Sequence, residues 1–75
     1  MLFTIHLDTI KKAEKFCKIC NKYKDDIDVK EGKYIVNGKS ILGLLSLDLT
    51  NDLIIRTKMK RGLSSFLIKI KEFMV

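Results

Sequence analysis

Two segments of helical periodicity, separated by short strand-like segments, constrain the fold of this chain most strongly. In both, apolar residues recur at three- and four-residue spacing, which predicts amphipathic helices. The first apolar stripe comprises Ile10, Ala13, Phe16, Cys17, Cys20 and Tyr23, and the second comprises Leu63, Phe66, Leu67, Ile70, Phe73 and Met74. Because an apolar stripe must be buried against another layer of structure, both helices need a sheet or a further helix to cover them.

Four short segments predict the strands of such a sheet. They are Leu2–Leu7, Ile27–Lys30, Lys33–Val36 and Leu53–Thr57. The second and third flank Glu31-Gly32, and a glycine between two short strands predicts a tight hairpin turn. The continuous apolar run in the last segment favours a central position in the sheet.

The segment Val36–Leu49 predicts a strand end, a turn and a short apolar helix. Ser40 precedes the apolar run and is a favoured residue type for a helix N-cap. The predicted element order is therefore β-α-β-β-α-β-α. An α+β fold follows, in which one antiparallel sheet is covered by helices on one face and residues 1–75 form a single domain.

The charge and composition of the chain limit the classes of function that it can have. The net charge is +6, but the lysines are dispersed from Lys11 to Lys71 and only two arginines are present, so we expect a solvated basic surface and no nucleic-acid site. Two cysteines cannot form a dense disulfide framework, and no apolar run approaches the ~20 residues of a membrane helix. We therefore expect a cytoplasmic protein without membrane insertion.

The element order and the serine-helix segment together resemble HPr, the small phosphocarrier of the bacterial sugar phosphotransferase system. The resemblance extends over essentially the whole chain and is closest at Asp26–Val29 and Val36–Leu49. It implies the HPr-like open-faced β-sandwich, with four antiparallel strands and the helices on one face. It implies no cofactor and no enzymatic activity of the chain itself.

The resemblance breaks at the start of the first helix. HPr proteins carry phosphate on a histidine there, and counting back without gaps from Ile27 places Thr9 at that position. Lys11 and Lys12 then stand where the family has arginine and proline. An alcohol without a neighbouring base is a weak nucleophile, so histidine phosphotransfer is not expected. The only histidine, His6, is predicted within the first strand and is not expected to substitute for it.

Ser40 is, by the resemblance, the position of a regulatory phosphorylation by a serine kinase. The resemblance further implies an apolar partner-binding patch at Ile41, Leu42 and Leu45, with Lys11 and Lys39 as basic neighbours. The partners implied are phosphotransferase-system proteins (enzyme I or sugar-specific IIA proteins) or a transcriptional regulator. Three alternatives stay open: a Ser40 that only caps a helix, an interaction domain without phosphorylation, and a residual phosphocarrier that uses His6.

Cys17-Lys18-Ile19-Cys20 has the C-x-x-C spacing of metal sites and thiol redox pairs. The chain supplies no second cysteine pair and only one distant histidine. Both cysteines also continue the apolar stripe of the first helix. We therefore predict buried thiols and no metal site.

Overall fold

A computed structural model describes all residues, 1–75, of the chain. It contains four β-strands, three α-helices and one short 3₁₀ helix. In chain order these are β1 (Leu2–Ile5), α1 (Ile10–Cys20), β2 (Ile27–Glu31), β3 (Tyr34–Asn37), α2 (Ile41–Leu45), β4 (Leu53–Thr57), α3 (Leu63–Ile70) and the 3₁₀ helix Lys71–Phe73. The predicted β-α-β-β-α-β-α order is confirmed.

The four strands form one antiparallel sheet in the order β1-β4-β2-β3. Strand β4 is central, as its continuous apolar sequence predicts. Register places Phe3, Ile55, Val29 and Val36 in one row across the sheet. Since opposed residues of neighbouring strands share a face, this row belongs to the side that the helices cover.

The helices cover one face of the sheet and leave the other open. Strand residues on the covered face, such as Ile5, Val29 and Ile55, are fully buried, whereas Ile54 and Leu2 on the opposite face are exposed. The core contains 17 buried hydrophobic residues from the strands, all three helices and the connecting segments. This is the predicted α+β architecture. None of the helices is long and apolar enough to cross a membrane.

Three elements end earlier than sequence periodicity predicts. Strand β1 stops at Ile5, and α1 stops at Cys20, where Asn21 caps it. Helix α3 stops at Ile70 and tightens into the 3₁₀ turn, after which Met74 forms a β-bridge with Ile5. In each case a contact with a distant segment or a cap replaces continuation of the local pattern.

Candidate functional site

The N-terminus of α1 is capped by Thr9, the residue that the sequence comparison with HPr predicts at the histidine position. Thr9 has extended backbone geometry, and its Oγ1 accepts a hydrogen bond of 3.2 Å from the Lys12 backbone N–H. This satisfies one of the free donors of the first helical turn. The hydroxyl is therefore engaged as a helix cap.

Asp8 places a carboxylate directly before this cap. Its backbone has a φ of 62°, in the left-handed region that non-glycine residues seldom adopt. Its Oδ2 lies 3.3 Å from Nζ of Lys12, and its Oδ1 lies 3.1 Å from Nε2 of His6. A negative charge thus already lies at the helix end that attracts anions. A phosphoryl group arriving there would meet like charge.

His6 lies just beyond β1 and contacts a loop that is distant in sequence. Its Nε2 is 2.9 Å from the Thr50 carbonyl oxygen as well as close to Asp8. Both partners are acceptors, so Nε2 carries the proton in this arrangement. The Asp8 backbone N–H also donates to the Leu49 carbonyl, which fastens the start of α1 to the same loop.

The loop at residues 48–51 is ordered by a local network of hydrogen bonds. Asp48 Oδ1 accepts from both the backbone N–H and the hydroxyl of Thr50, and these bonds lower the pKa of the Asp48 carboxyl. The Glu31 carboxylate accepts from the Asp48 N–H and from the side-chain amide of Asn51. The loop beside α1 is therefore held to the end of β2.

Ser40 is the N-cap of α2, as predicted. It has extended backbone geometry, and its Oγ accepts a hydrogen bond of 3.1 Å from the Gly43 backbone N–H. Its own N–H donates to the Asn37 carbonyl, and its carbonyl accepts from Leu44. The residue is only partly buried. Its hydroxyl thus lies at the helix terminus, where negative charge is favoured.

The segment before Ser40 is fixed to α1 by two side chains. The Lys39 carbonyl oxygen accepts hydrogen bonds from Asn21 Nδ2 at 3.0 Å and from the Cys17 thiol at 3.3 Å. Asn21 also caps the end of α1 through its backbone N–H and its side chain. Sequence reasoning did not identify Asn21 as part of the site. An asparagine directly after the last apolar helical residue is a C-cap signal, but its bond to Lys39 has no local signature.

Helix α2 divides its apolar residues between the core and the surface. Leu44 is fully buried and Ile41 packs partly against the core, whereas Leu42 is 80% exposed and Leu45 is 39% exposed. Of the predicted patch, Leu42 and Leu45 thus provide most of the accessible apolar surface. A Cβ at Gly43 would lie 3.1 Å from Val36 Cβ, so glycine permits the close packing of α2 on β3.

The two lysines assigned to partner binding differ in their surroundings. Lys11 is exposed on the first turn of α1, and Lys39 is partly buried. Neither side chain forms an ion pair. Lys11 follows Thr9 by two residues, and Lys39 directly precedes Ser40. Each of these two helix caps thus has an unpaired lysine close to it in sequence.

The C-x-x-C pair forms part of the core. Cys17 and Cys20 are buried free thiols in the last turn of α1. Burial raises the pKa of the Cys20 thiol to about 12 and also raises that of Cys17. Thiols held in the neutral form are poor nucleophiles and poor metal ligands. No cluster of three or more histidine, cysteine or acidic residues could hold a metal ion.

Comparison with known proteins gives a consistent result. A family model described as "PTS HPr component phosphorylation site" matches residues 9–60. No curated protein sequence matches the chain. Seventeen chains of solved structures match, and the three that follow have identities below 25%, so their likeness bears on the fold alone.

The first of these structures is HPr-C-His from Thermoanaerobacter tengcongensis, with a TM-score of 0.77, 22% identity, and coverage of 96% of this chain and 91% of the other. The second is a phosphocarrier protein HPr from Bacillus anthracis, with a TM-score of 0.75, 18% identity, and coverage of 100% and 96%. The third is the histidine-containing phosphocarrier protein of a Mycoplasma, with a TM-score of 0.75, 15% identity, and coverage of 96% and 89%.

Proposed function

The chain belongs to the HPr family of the phosphotransferase system, and from this premise we propose that it is a regulatory binding module with Ser40 as its switch. The observation that carries the proposal is the geometry of Ser40. Its hydroxyl caps α2 at a partly buried position, directly before the helix that exposes Leu42 and Leu45. A modification of this one atom therefore acts on the helix and on its apolar surface together.

Phosphate on Ser40 fits this end of α2 electrostatically. The phosphate oxygens are stronger acceptors for the Gly43 N–H than a hydroxyl is, and the helix terminus stabilises their negative charge. Lys39, which has no ion-pair partner, adds a neighbouring cation. We therefore expect phosphorylation to be compatible with the folded helix.

The same phosphate would change what binds to α2. Two negative charges beside Leu42 and Leu45 oppose docking of an apolar or acidic partner surface and favour a partner that presents arginine or lysine. The switch thus exchanges one class of partner for another. The partners proposed are phosphotransferase-system proteins such as enzyme I or a sugar-specific IIA protein, a transcriptional regulator, and the serine kinase itself. All would meet the protein in the cytoplasm.

We further propose that the chain does not relay phosphate through histidine. Thr9 stands at the start of α1, its hydroxyl serves as the cap, and the Asp8 carboxylate lies beside it. The His6 Nε2 is engaged by the Thr50 carbonyl at 2.9 Å and lies 3.1 Å from the Asp8 carboxylate, so it is not free to accept a phosphoryl group in this arrangement. These contacts support a binding role and give no activated nucleophile.

The switch is tested by partner binding of two Ser40 variants. Ser40→Asp caps the helix and adds charge, whereas Ser40→Asn is an equally good cap without charge. Titration calorimetry with enzyme I should give a clearly altered affinity for Ser40→Asp and an unchanged affinity for Ser40→Asn. If both variants bind enzyme I with the same affinity, Ser40 serves only as a helix cap.

A further inference from the structure

The two edges of the sheet differ in how they are covered. Along β1, the C-terminal residues act as a partial fifth strand: the Val75 N–H donates to the Thr4 carbonyl, and the His6 N–H donates to the Phe73 carbonyl. Strand β3 pairs with β2 on one side and with nothing on the other. The sheet therefore has one protected edge and one open edge.

Register identifies the backbone groups that the open edge presents. The Gly38 N–H donates to the Ile27 carbonyl, so the pairs 27/38, 29/36 and 31/34 are the hydrogen-bonded positions of the β2–β3 ladder. The intervening residues, Ile35 and Asn37, then direct their backbone groups away from β2. The Asn37 carbonyl is used by the Ser40 N–H. The N–H and C=O of Ile35 and the N–H of Asn37 remain for an added strand.

The side chains of β3 suit strand addition. Tyr34 is 71% exposed and Ile35 is 51% exposed, and both have high β-propensity. Within Tyr34–Asn37 there is no proline, lysine or other charge of the kind that natural edge strands use against pairing. The edge is short, but none of its residues opposes pairing with a further strand.

Three unpaired lysines lie beside this edge. Lys30 lies opposite Ile35 in register, Lys33 lies in the hairpin turn, and Lys39 follows β3. None of the three forms an ion pair, and residues 32–47 contain no acidic side chain. Strand β2 contributes two acids opposite this edge, and both are engaged. Asp28, opposite Asn37, pairs with Arg56, and Glu31, opposite Tyr34, accepts from Asp48 and Asn51. An incoming strand with carboxylates is therefore attracted, and a second copy of this +6 chain is repelled.

We propose that the open edge of β3 binds an extended, acidic segment of a partner protein by strand addition. Main-chain hydrogen bonds to Ile35 and Asn37 supply the docking, and the three lysines select for carboxylates. The Ile35 side chain provides an apolar contact on the open face, in the row that continues through Lys30 to Ile54. The surface does not include the Ser40 hydroxyl but shares Lys39 with it, so the test uses the protein without phosphate on Ser40.

The probe for this surface is a short synthetic peptide that alternates glutamate with valine, and its control alternates lysine with valine. Two-dimensional NMR of the labelled protein follows both titrations, and hydrogen exchange reports the Ile35 and Asn37 amides. We expect saturable binding of the glutamate peptide with protection of those two amides. Binding should weaken severalfold at about 0.5 M salt, because exposed charges are screened.

The matched variants are Ile35→Pro and Ile35→Thr. Proline removes the outward N–H without breaking a bond to β2, and threonine keeps the N–H and the β-propensity. Ile35→Pro should lower the affinity by about tenfold, whereas Ile35→Thr should lower it less. Circular dichroism checks that both variants fold.

Three outcomes would overturn the proposal. The first is that the Ile35 and Asn37 amides stay unprotected, either because the glutamate peptide does not bind or because it binds at another surface. The second is equal binding of the lysine peptide. The third is protection of the same amides by raising the protein concentration alone, which would make the edge an interface between two copies of the chain.

Discussion

The side-chain amide of Asn21 donates a hydrogen bond of 3.0 Å to the backbone carbonyl of Lys39. This bond joins the end of α1 to the residue that precedes the Ser40 cap. The Cys17 thiol reaches the same carbonyl, so α1 holds the start of α2 through two side chains. The candidate switch is therefore positioned by a helix to which it is not adjacent in sequence.

Asn21→Ala removes the side-chain part of the α1 cap and one donor to the Lys39 carbonyl, and it keeps the capping backbone N–H. We expect a loss of about 1–2 kcal/mol in the free energy of unfolding, because a partly buried carbonyl loses a partner. Exchange of the Gly43 amide should accelerate as the Ser40 cap becomes less ordered. Urea denaturation and hydrogen exchange measure the two effects. Lys22→Ala, at the neighbouring exposed position, is the control and should change stability by less than about 0.5 kcal/mol. If Lys22→Ala were as destabilising as Asn21→Ala, the Asn21 side chain would have no specific role in positioning Ser40.

Substitutions of Ser40 distinguish the effect of the helix cap on stability from the effect of negative charge. Ser40→Ala should cost about 1 kcal/mol of unfolding free energy, because the Gly43 N–H loses its acceptor. Ser40→Asn should retain nearly full stability, and Ser40→Asp should retain or slightly exceed it because of the helix terminus. Denaturant titration of the three variants checks this order. A Ser40→Asp protein less stable than Ser40→Ala would show that this end of α2 does not tolerate negative charge.

Because the Cys20 thiol is buried, we expect the protein to lose stability in alkali. In the unfolded chain this thiol ionises near its ordinary pKa of 9.0, whereas burial raises its pKa to about 12 in the folded protein. Between these values the unfolded chain has released a proton that the folded chain retains. Stability should therefore fall as pH rises through this window, by up to about 1.4 kcal/mol per pH unit.

Cys20→Ala provides the control for this pH dependence. Lysines and tyrosines also titrate in alkali, so the difference between the two proteins isolates the thiol. Thermal denaturation across the window should show a shallower decline for Cys20→Ala. Parallel declines would indicate that the Cys20 thiol ionises normally in the folded state.

Sequence periodicity predicted the sheet and its helical layer because each apolar stripe had one economical way to be buried. The strand Leu53–Thr57 and the Ser40 cap were predicted with the bounds that the structure shows. Tyr23 and Met74 continue their stripes in sequence but lie outside α1 and α3. Asn21 ends the first helix, and the bridge of Met74 to Ile5 draws the chain away from the second.

The candidate site was less accessible to sequence reasoning than the fold. Ser40 was identifiable as a cap because capping is a local property. The contact of His6 with Thr50 spans 44 positions, and that of Asn21 with Lys39 spans 18. Such contacts depend on how α1 packs against the rest of the chain. Asp8, whose φ is positive, likewise donates its N–H to the Leu49 carbonyl, which is 41 positions away in sequence.

Phosphate incorporation from two donors tests the central claim most directly. The intact protein is incubated with enzyme I and phosphoenolpyruvate, and separately with an HPr serine kinase and ATP. Thr9→His, which restores a histidine at the start of α1, accompanies it in the first reaction and should label weakly at best, because Lys11 and Lys12 remain. Mass spectrometry should find one phosphate on Ser40 from the kinase reaction and none from phosphoenolpyruvate. Acid-labile phosphate on His6, or an unmodified Ser40 in the kinase reaction, would contradict the account.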